Sequence, residues 1–397
     1  MNKTGKWFVI IFIAGYWLLS GTATGQTFED FKKQRQQEFQ QYKDENTHAY
    51  DEFVIREKKG IEKLKKEIEA YWGKNDDKLS TKTEWVEYSD DKQSRTDVDF
   101  EKGTATVEIL LTPTQAENPE IVTARVQASI NNLITNKCAT YDYVADEKEE
   151  NEVLDEPVLS GQIADENGVI ITSDNINPFL KDVSTPQNIN YVEVKGADGK
   201  QRIKAEVSIQ LISNHIFVRA EKYKETVSNY ASRYHLPQSL VFAIIDTESS
   251  FNPLARSNIP AYGLMQIVPK FAGRDAYYHI YKKDTIVTPE YLYEPVNNIE
   301  LGTAFFDKLM THYFKGVKNN ECRLLCAVAA YNTGTRNFYK AFEEPTKTEI
   351  IQHINTMTYG ELLNFLRENL PYSETQNYVV KVDNKLSLYK KWIETNE

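Results

Sequence analysis

Cysteine is scarce in this sequence. Three residues in 397, Cys138, Cys322 and Cys326, are too few for a disulfide framework. Their spacing relative to histidine matches no zinc-binding pattern. Cys322 and Cys326, four apart in an apolar stretch, read as small core residues. Positive charge is also in deficit. With 47 Lys and Arg against 58 Asp and Glu, the net charge of −11 excludes the basic face a nucleic-acid binder needs. The apolar run 7–19 falls short of the roughly 20 residues that span a membrane.

What that run does have is the layout of a secretory signal peptide. Lys3 and Lys6 precede it, and small residues follow, ending in Ala23-Thr24-Gly25 before Gln26. Residues 1–25 are therefore expected to direct export, with an uncleaved anchor as the alternative. No cysteine lies near the cleavage region, so membrane association through a lipidated cysteine is not supported.

Between residues 26 and 75 the chain carries a repeat. Phe28, Phe39, Tyr50, Ile61 and Trp72 are eleven apart, and Phe31, Tyr42, Phe53 and Leu64 echo them three residues later. Eleven residues make three turns of nearly natural helix, so the apolar stripe stays almost straight. The pattern predicts one long amphipathic helix, with an interruption near Gly60. Its stripe must be covered, by its own chain or by a protein partner.

Residues 76–213 change character. Segments 84–88, 95–100 and 104–111 read as strands, with a turn at Lys102-Gly103. Residues 120–135 are helical in period. The acidic run 146–152 reads as a solvated loop. Segments 158–164 and 169–172 are expected to pair as a hairpin, as are 190–195 and 203–212. This is an antiparallel α+β domain with no catalytic constellation. From residue 214 to 397 the chain turns helical, beginning with a helix capped by Asn214 that runs to about Tyr234, and ending with one over 378–389. The fold class is thus α+β: long helix, antiparallel α+β domain, then a mainly α domain.

The helical part is organised by residues 240–266. Val241, Ile244, Ile245 and Glu248 fall at 0, +3, +4 and +7, which puts Glu248 on a buried stripe. Burial favours the neutral acid, and a neutral acid near pH 7 can donate a proton. The helix then meets the breaker run Ser249-Ser250-Phe251-Asn252-Pro253. Glu248 therefore stands at a helix end facing irregular chain, either as a cleft wall or as a terminal glutamate turned to solvent.

Glu248–Pro253 followed by Gly263-Leu264-Met265-Gln266 resembles the catalytic domain of the lytic transglycosylases, which has a lysozyme-like fold. Asn298-Ile299-Glu300-Leu301-Gly302, Ala330-Tyr331-Asn332-Thr333-Gly334 and Glu374-Thr375-Gln376-Asn377-Tyr378-Val379 resemble its remaining motifs, in the same order. The N-terminal half resembles the corresponding domain of one branch of that family, through Tyr71-Trp72-Gly73-Lys74-Asn75 and residues 95–103.

The resemblance implies cleavage of peptidoglycan glycan strands in the periplasm, with no cofactor and no metal. It implies one catalytic glutamate, Glu248, acting first as acid and then as base toward the sugar's own 6-hydroxyl. It also suggests roles for other residues. Ser249 would hold the glutamate loop and Ser257 would contact sugar. Gly263 and Met265 belong to the motif beside the substrate, where Gly263 permits close approach. Gln266 would offer its amide to the sugar or to Glu248. Tyr331 and Asn332 would line the cleft, and Tyr378 would aim its hydroxyl at the acetamido group or the acid. The Ile259-Pro260 pair departs from the family pattern. Asp275, Glu300 and Glu374 are the candidates for a second carboxylate, and none sits in a nucleophile-like context; Asp246, two residues before Glu248, points to another face of the helix. A hydrolytic muramidase of lysozyme type and a non-catalytic wall-binding scaffold are the competing readings. The N-terminal half is expected to place the enzyme rather than to take part in its chemistry.

Overall fold

The computed structural model of the protein describes residues 28–142 and 147–396. Segment 1–25, expected to be a signal peptide, lies outside the described residues, as does Asp146. Among the described residues no helix is long and apolar enough to cross a membrane.

The long helix runs from Phe28 to Trp72 with no break at Gly60. An interior glycine costs only about 1 kcal/mol. Burial of Leu64, Ile68 and Trp72 outweighs it. These three side chains pack on their own chain, against Leu110. The Trp72 indole also donates to the Lys92 carbonyl at 2.7 Å.

Among the described residues seven strands follow: β1 (Glu84–Tyr88), β2 (Ser94–Asp99), β3 (Thr104–Leu111), β4 (Lys137–Asp142), β5 (Glu147–Pro157), β6 (Asn190–Lys195) and β7 (Gln201–Gln210). Five form an antiparallel sheet in the order β1-β2-β3-β7-β6. Side chains along β3 alternate between its two faces. Ala105, Val107, Ile109 and Leu111 join Val122, Val126, Ile130, Leu133 and Ile134 of the helix Pro119–Thr135 in one core. Leu110 faces the other way, onto the long helix. Glu108, also buried, is held by Arg95 at 2.5 Å and Lys204 at 2.7 Å.

Three expectations change, two in this half and one at the start of the helical part. Residues 147–152 of the acidic run lie in β5, paired with β4, because strand pairing uses the backbone and tolerates charge. Residues 158–164 and 169–172 form no hairpin, only a single bridge between Ala164 and Ile170. The Asp165 carboxylate accepts from the Asn167 and Val169 amides at 2.9 Å, and this side-chain turn replaces the strand ladder. Asn214 makes no side-chain cap, and its helix divides into His215–Glu221 and Lys224–Arg233. The division falls at Tyr223, whose ring stacks on Phe251 with centroids 6.2 Å apart.

The helical half surrounds Gln238–Ser249, which is buried on nearly every side. A helix apolar all round belongs at the centre of a core. Phe242 stacks on Tyr389 of the last helix, Ser373–Asn396, with centroids 5.5 Å apart. That helix is longer at both ends than its apolar pattern suggested. Cys322 and Cys326 are free and buried, as core residues. The α+β class expected from the sequence holds.

Candidate active site

The helix Gln238–Ser249 ends abruptly. Ser250 caps it in the left-handed region at φ 49°, and Phe251 follows at φ 61°. Neither is glycine, so the turn is strained and has to be held by its surroundings. Arg219 donates from Nε to the Ser250 carbonyl and from Nη2 to the Phe100 carbonyl, each at 3.0 Å. The Phe251 ring is buried among Tyr223, Phe242 and Tyr389. Ser249 ties the turn to the next loop, its hydroxyl lying 2.8 Å from the Leu264 carbonyl and 3.0 Å from that of Ile245.

This places Glu248, 5% exposed, in the wall of a groove of about 610 Å3. Lys82, Ser257, Tyr331, Asn332, Tyr372 and Glu374 are among its other walls. Burial pushes the Glu248 carboxyl above the ordinary carboxylate range. The Lys82 ammonium, 3.5 Å from Oε2, pulls against that rise, as does the Tyr378 hydroxyl, while the Glu374 charge adds to it. Tyr378 faces Glu248 closely enough to influence its charge. Its hydroxyl is buried beside the Glu248 carboxyl, just outside strict hydrogen-bond geometry, and points at the acid.

The remaining candidates divide into two groups. Ser257, Gln266, Tyr331 and Asn332 line the groove. Tyr331 donates to the Met265 carbonyl at 2.8 Å, and Asn332 accepts from Thr375 at 2.7 Å. Gln266 spends its amide N–H groups on the Ala255 and Gly263 carbonyls, at 3.1 and 3.0 Å, and its Oε1 has no partner. The expected donor to sugar is thus committed to the loop, and what it has free is an acceptor. Ser257 is engaged locally with the Ile259 carbonyl.

Met265 and Gly263 do not face the groove. The Met265 side chain is buried, 1% exposed, against Gly302, where an added Cβ would meet its Sδ at 2.3 Å. Gly263, at φ 74°, leaves room for Asn298; a Cβ there would lie 2.3 Å from Asn298 Nδ2 and from the Leu292 carbonyl. Asn298 is the organiser that no role was assigned to. Its amide donates to the Tyr262 and Leu292 carbonyls at 2.8 Å and its oxygen accepts from the Met265 amide at 2.7 Å. Its place at the head of a motif was the available signal. Gly263 and Met265 therefore shape the loop from behind.

Of the second-carboxylate candidates, only Glu374 lines the groove. Asp246 is bound by Tyr389 at 3.0 Å and Lys385 at 2.9 Å, Glu300 by Arg233 at 3.0 Å and Tyr281 at 2.8 Å, and Asp275 by Lys308 at 2.9 Å. Two contacts from the N-terminal half had no sequence signal. Lys82 reaches Glu248, and Glu57 of the long helix receives Arg256, the residue before Ser257, with Nη2 to Oε2 at 2.9 Å.

A buried acid at a helix end, facing a groove of this size, fits a glycan-cleaving enzyme, and the comparisons with known proteins agree. Residues 225–354 match the Transglycosylase SLT domain. The chain belongs to the lytic transglycosylase family, and it is an enzyme of that family. Residues 42–222 match a second description, Membrane-bound lytic murein transglycosylase C, N-terminal domain. The proteins named membrane-bound lytic murein transglycosylase C from Yersinia pestis (strain Pestoides F) and Yersinia pseudotuberculosis (serotype O:1b) are each 31% identical to it over 346 residues, covering 86% of this chain and 93% of theirs. Among solved structures, the soluble lytic transglycosylase of Escherichia coli matches 43% of this chain and 24% of its own, at 26% identity and a TM-score of 0.34.

Proposed function

We propose that this protein is an exported, periplasmic enzyme of the cell envelope that cuts the β-1,4 bond between N-acetylmuramic acid and N-acetylglucosamine in peptidoglycan. Its one catalytic acid–base is Glu248. The observation that carries this reading is the buried Glu248 carboxyl in the groove wall, raised toward neutrality by desolvation.

Glu248, protonated, gives its proton to the glycosidic oxygen as the bond to C1 of the muramoyl residue breaks. Positive charge builds at C1, where the sugar's own N-acetyl carbonyl can stabilise it. Glu248, now a carboxylate, takes the proton of the 6-hydroxyl as that oxygen bonds to C1. The product is a 1,6-anhydromuramoyl end, no water is consumed, and the acid is restored. In this scheme the Tyr378 hydroxyl, beside the Glu248 carboxyl, steadies the acid, and Gln266 holds the loop that forms one wall of the groove. Ser257, Tyr331 and Asn332 shape the groove around the glycan.

Mass spectrometry of digested sacculi tests the reaction. New ends lighter by one water than reducing ends are expected. Glu248→Gln should lower turnover by roughly a hundred- to ten-thousandfold while leaving glycan binding intact. Glu374 in the groove favours one second reading, hydrolysis with Glu374 as base to a water. Reducing ends in the digest would establish that reading instead.

A further inference from the structure

We propose that Lys82, on the segment leading into β1, is a positioning residue for the general acid. Its ammonium, 3.5 Å from Glu248 Oε2, fixes the carboxyl at the groove wall and makes the N-terminal half part of the proton-transfer machinery. The inference rests on the reading of Glu248 as the acid.

Three observations carry it. First, the lining of the groove includes three charged groups, Lys82, Glu248 and Glu374, and Lys82 is the one cation among them. Second, its place is built. The Thr81 amide donates to the Glu84 carbonyl at 2.9 Å, and the Thr81 carbonyl faces the Arg256 amide at 3.5 Å. The segment is thereby tied to the loop that carries Ser257. Third, the pair is asymmetric. The Lys82 side chain is 37% exposed and that of Glu248 is 6% exposed. A surface lysine in an exposed pair would be screened by water and salt. Here the carboxylate end is buried, so the attraction is screened much less, while the lysine stem stays free enough to follow the carboxyl.

The groups facing Glu248 come from three elements. Lys82 comes from the segment before β1, Tyr331 from the helix Asn320–Thr333, and Glu374 and Tyr378 from the last helix. Burial pushes both phenols well above their usual range, so they stay neutral wherever the enzyme works. Lys82 and Glu374 are left as the two opposed charges. Both halves of the reaction use Lys82. It favours the carboxylate produced when the proton leaves, and it holds that carboxylate in place to collect the proton of the 6-hydroxyl. Without it, the Tyr378 hydroxyl alone opposes burial and Glu374, and Glu248 keeps its proton to a higher pH.

The test uses the full chain carrying Lys82→Met or Lys82→Arg. Initial rates at limiting concentration of a soluble peptidoglycan oligosaccharide are measured across pH, with thermal melts as a folding control. Activity requires the protonated acid, so it is lost as pH rises through the Glu248 value. The expected result is an alkaline limb moved up by roughly one pH unit in Lys82→Met, a lower rate on the plateau, and a limb returned to its place in Lys82→Arg. An alkaline limb that does not move in a folded Lys82→Met protein overturns the proposal. Glu248→Gln separates the two readings. If it is inactive while the limb stays put, only the role of Lys82 falls; if it is active, the acid itself is misassigned and this inference falls with it.

Discussion

Arg256 and Glu57 meet in a two-pronged ion pair, Nε to Oε1 at 3.1 Å and Nη2 to Oε2 at 2.9 Å, with Glu57 buried. The pair joins the long helix to the groove loop, and the Tyr262 hydroxyl lies 3.2 Å from the same carboxylate. Removing one partner leaves buried charge facing an empty place. Glu57→Ala is expected to destabilise the protein by about 3 kcal/mol in urea unfolding. The released loop carries Ser257, so kcat/KM should fall as well, although residue 57 lies outside the groove.

Glu248 has a cost in stability that its replacement should reveal. Its folded pKa lies above the unfolded value near 4.5. The associated stability is full below that value and is lost as pH rises through the folded one. Glu248→Gln removes this loss, and Lys82 can turn to water. The variant should match wild type at acid pH and exceed it at alkaline pH. Urea titrations at the two pH values check the difference.

Glu374 acts on Glu248 in the direction opposite to Lys82, raising its pKa by like charge. Glu374→Gln should therefore move the alkaline limb of the rate profile down while the enzyme stays active. Complete loss of turnover in this variant would point to Glu374 as the base of a hydrolytic reaction.

The sheet carries its own pH dependence. Burial alone would raise Glu108, but the hydrogen bond and charge of Arg95, together with Lys204, override it and pull the carboxyl down to about 2. Its stabilising contribution is present above the unfolded value of 4.5 and disappears as pH falls toward 2. Glu108→Gln should cost about 3 kcal/mol at neutral pH. It should also flatten the acid limb of stability between those two values, as read from unfolding curves.

Local pattern made much of this protein legible. The strand over 104–111, the helical period after residue 119 and the apolar stripe ending at Glu248 are properties of neighbours along one element, and each formed as read. The motif run from Glu248 to Tyr378 was legible too, as was the family it belongs to.

Which motif residues face the groove was a matter for packing. Met265 turns inward because Gly302 leaves a hole that only a side chain from another element can fill, and periodicity within a loop carries no record of that. The same holds for Lys82, 166 residues before Glu248, and Glu57, 199 before Arg256. The chain by itself determined most of its elements and the place where the helix carrying Glu248 stops, because those depend on residues a few positions apart. Only the tertiary structure decided which charges surround that acid, because Coulomb interactions and desolvation depend on distance in space, and the folded chain alone sets those distances.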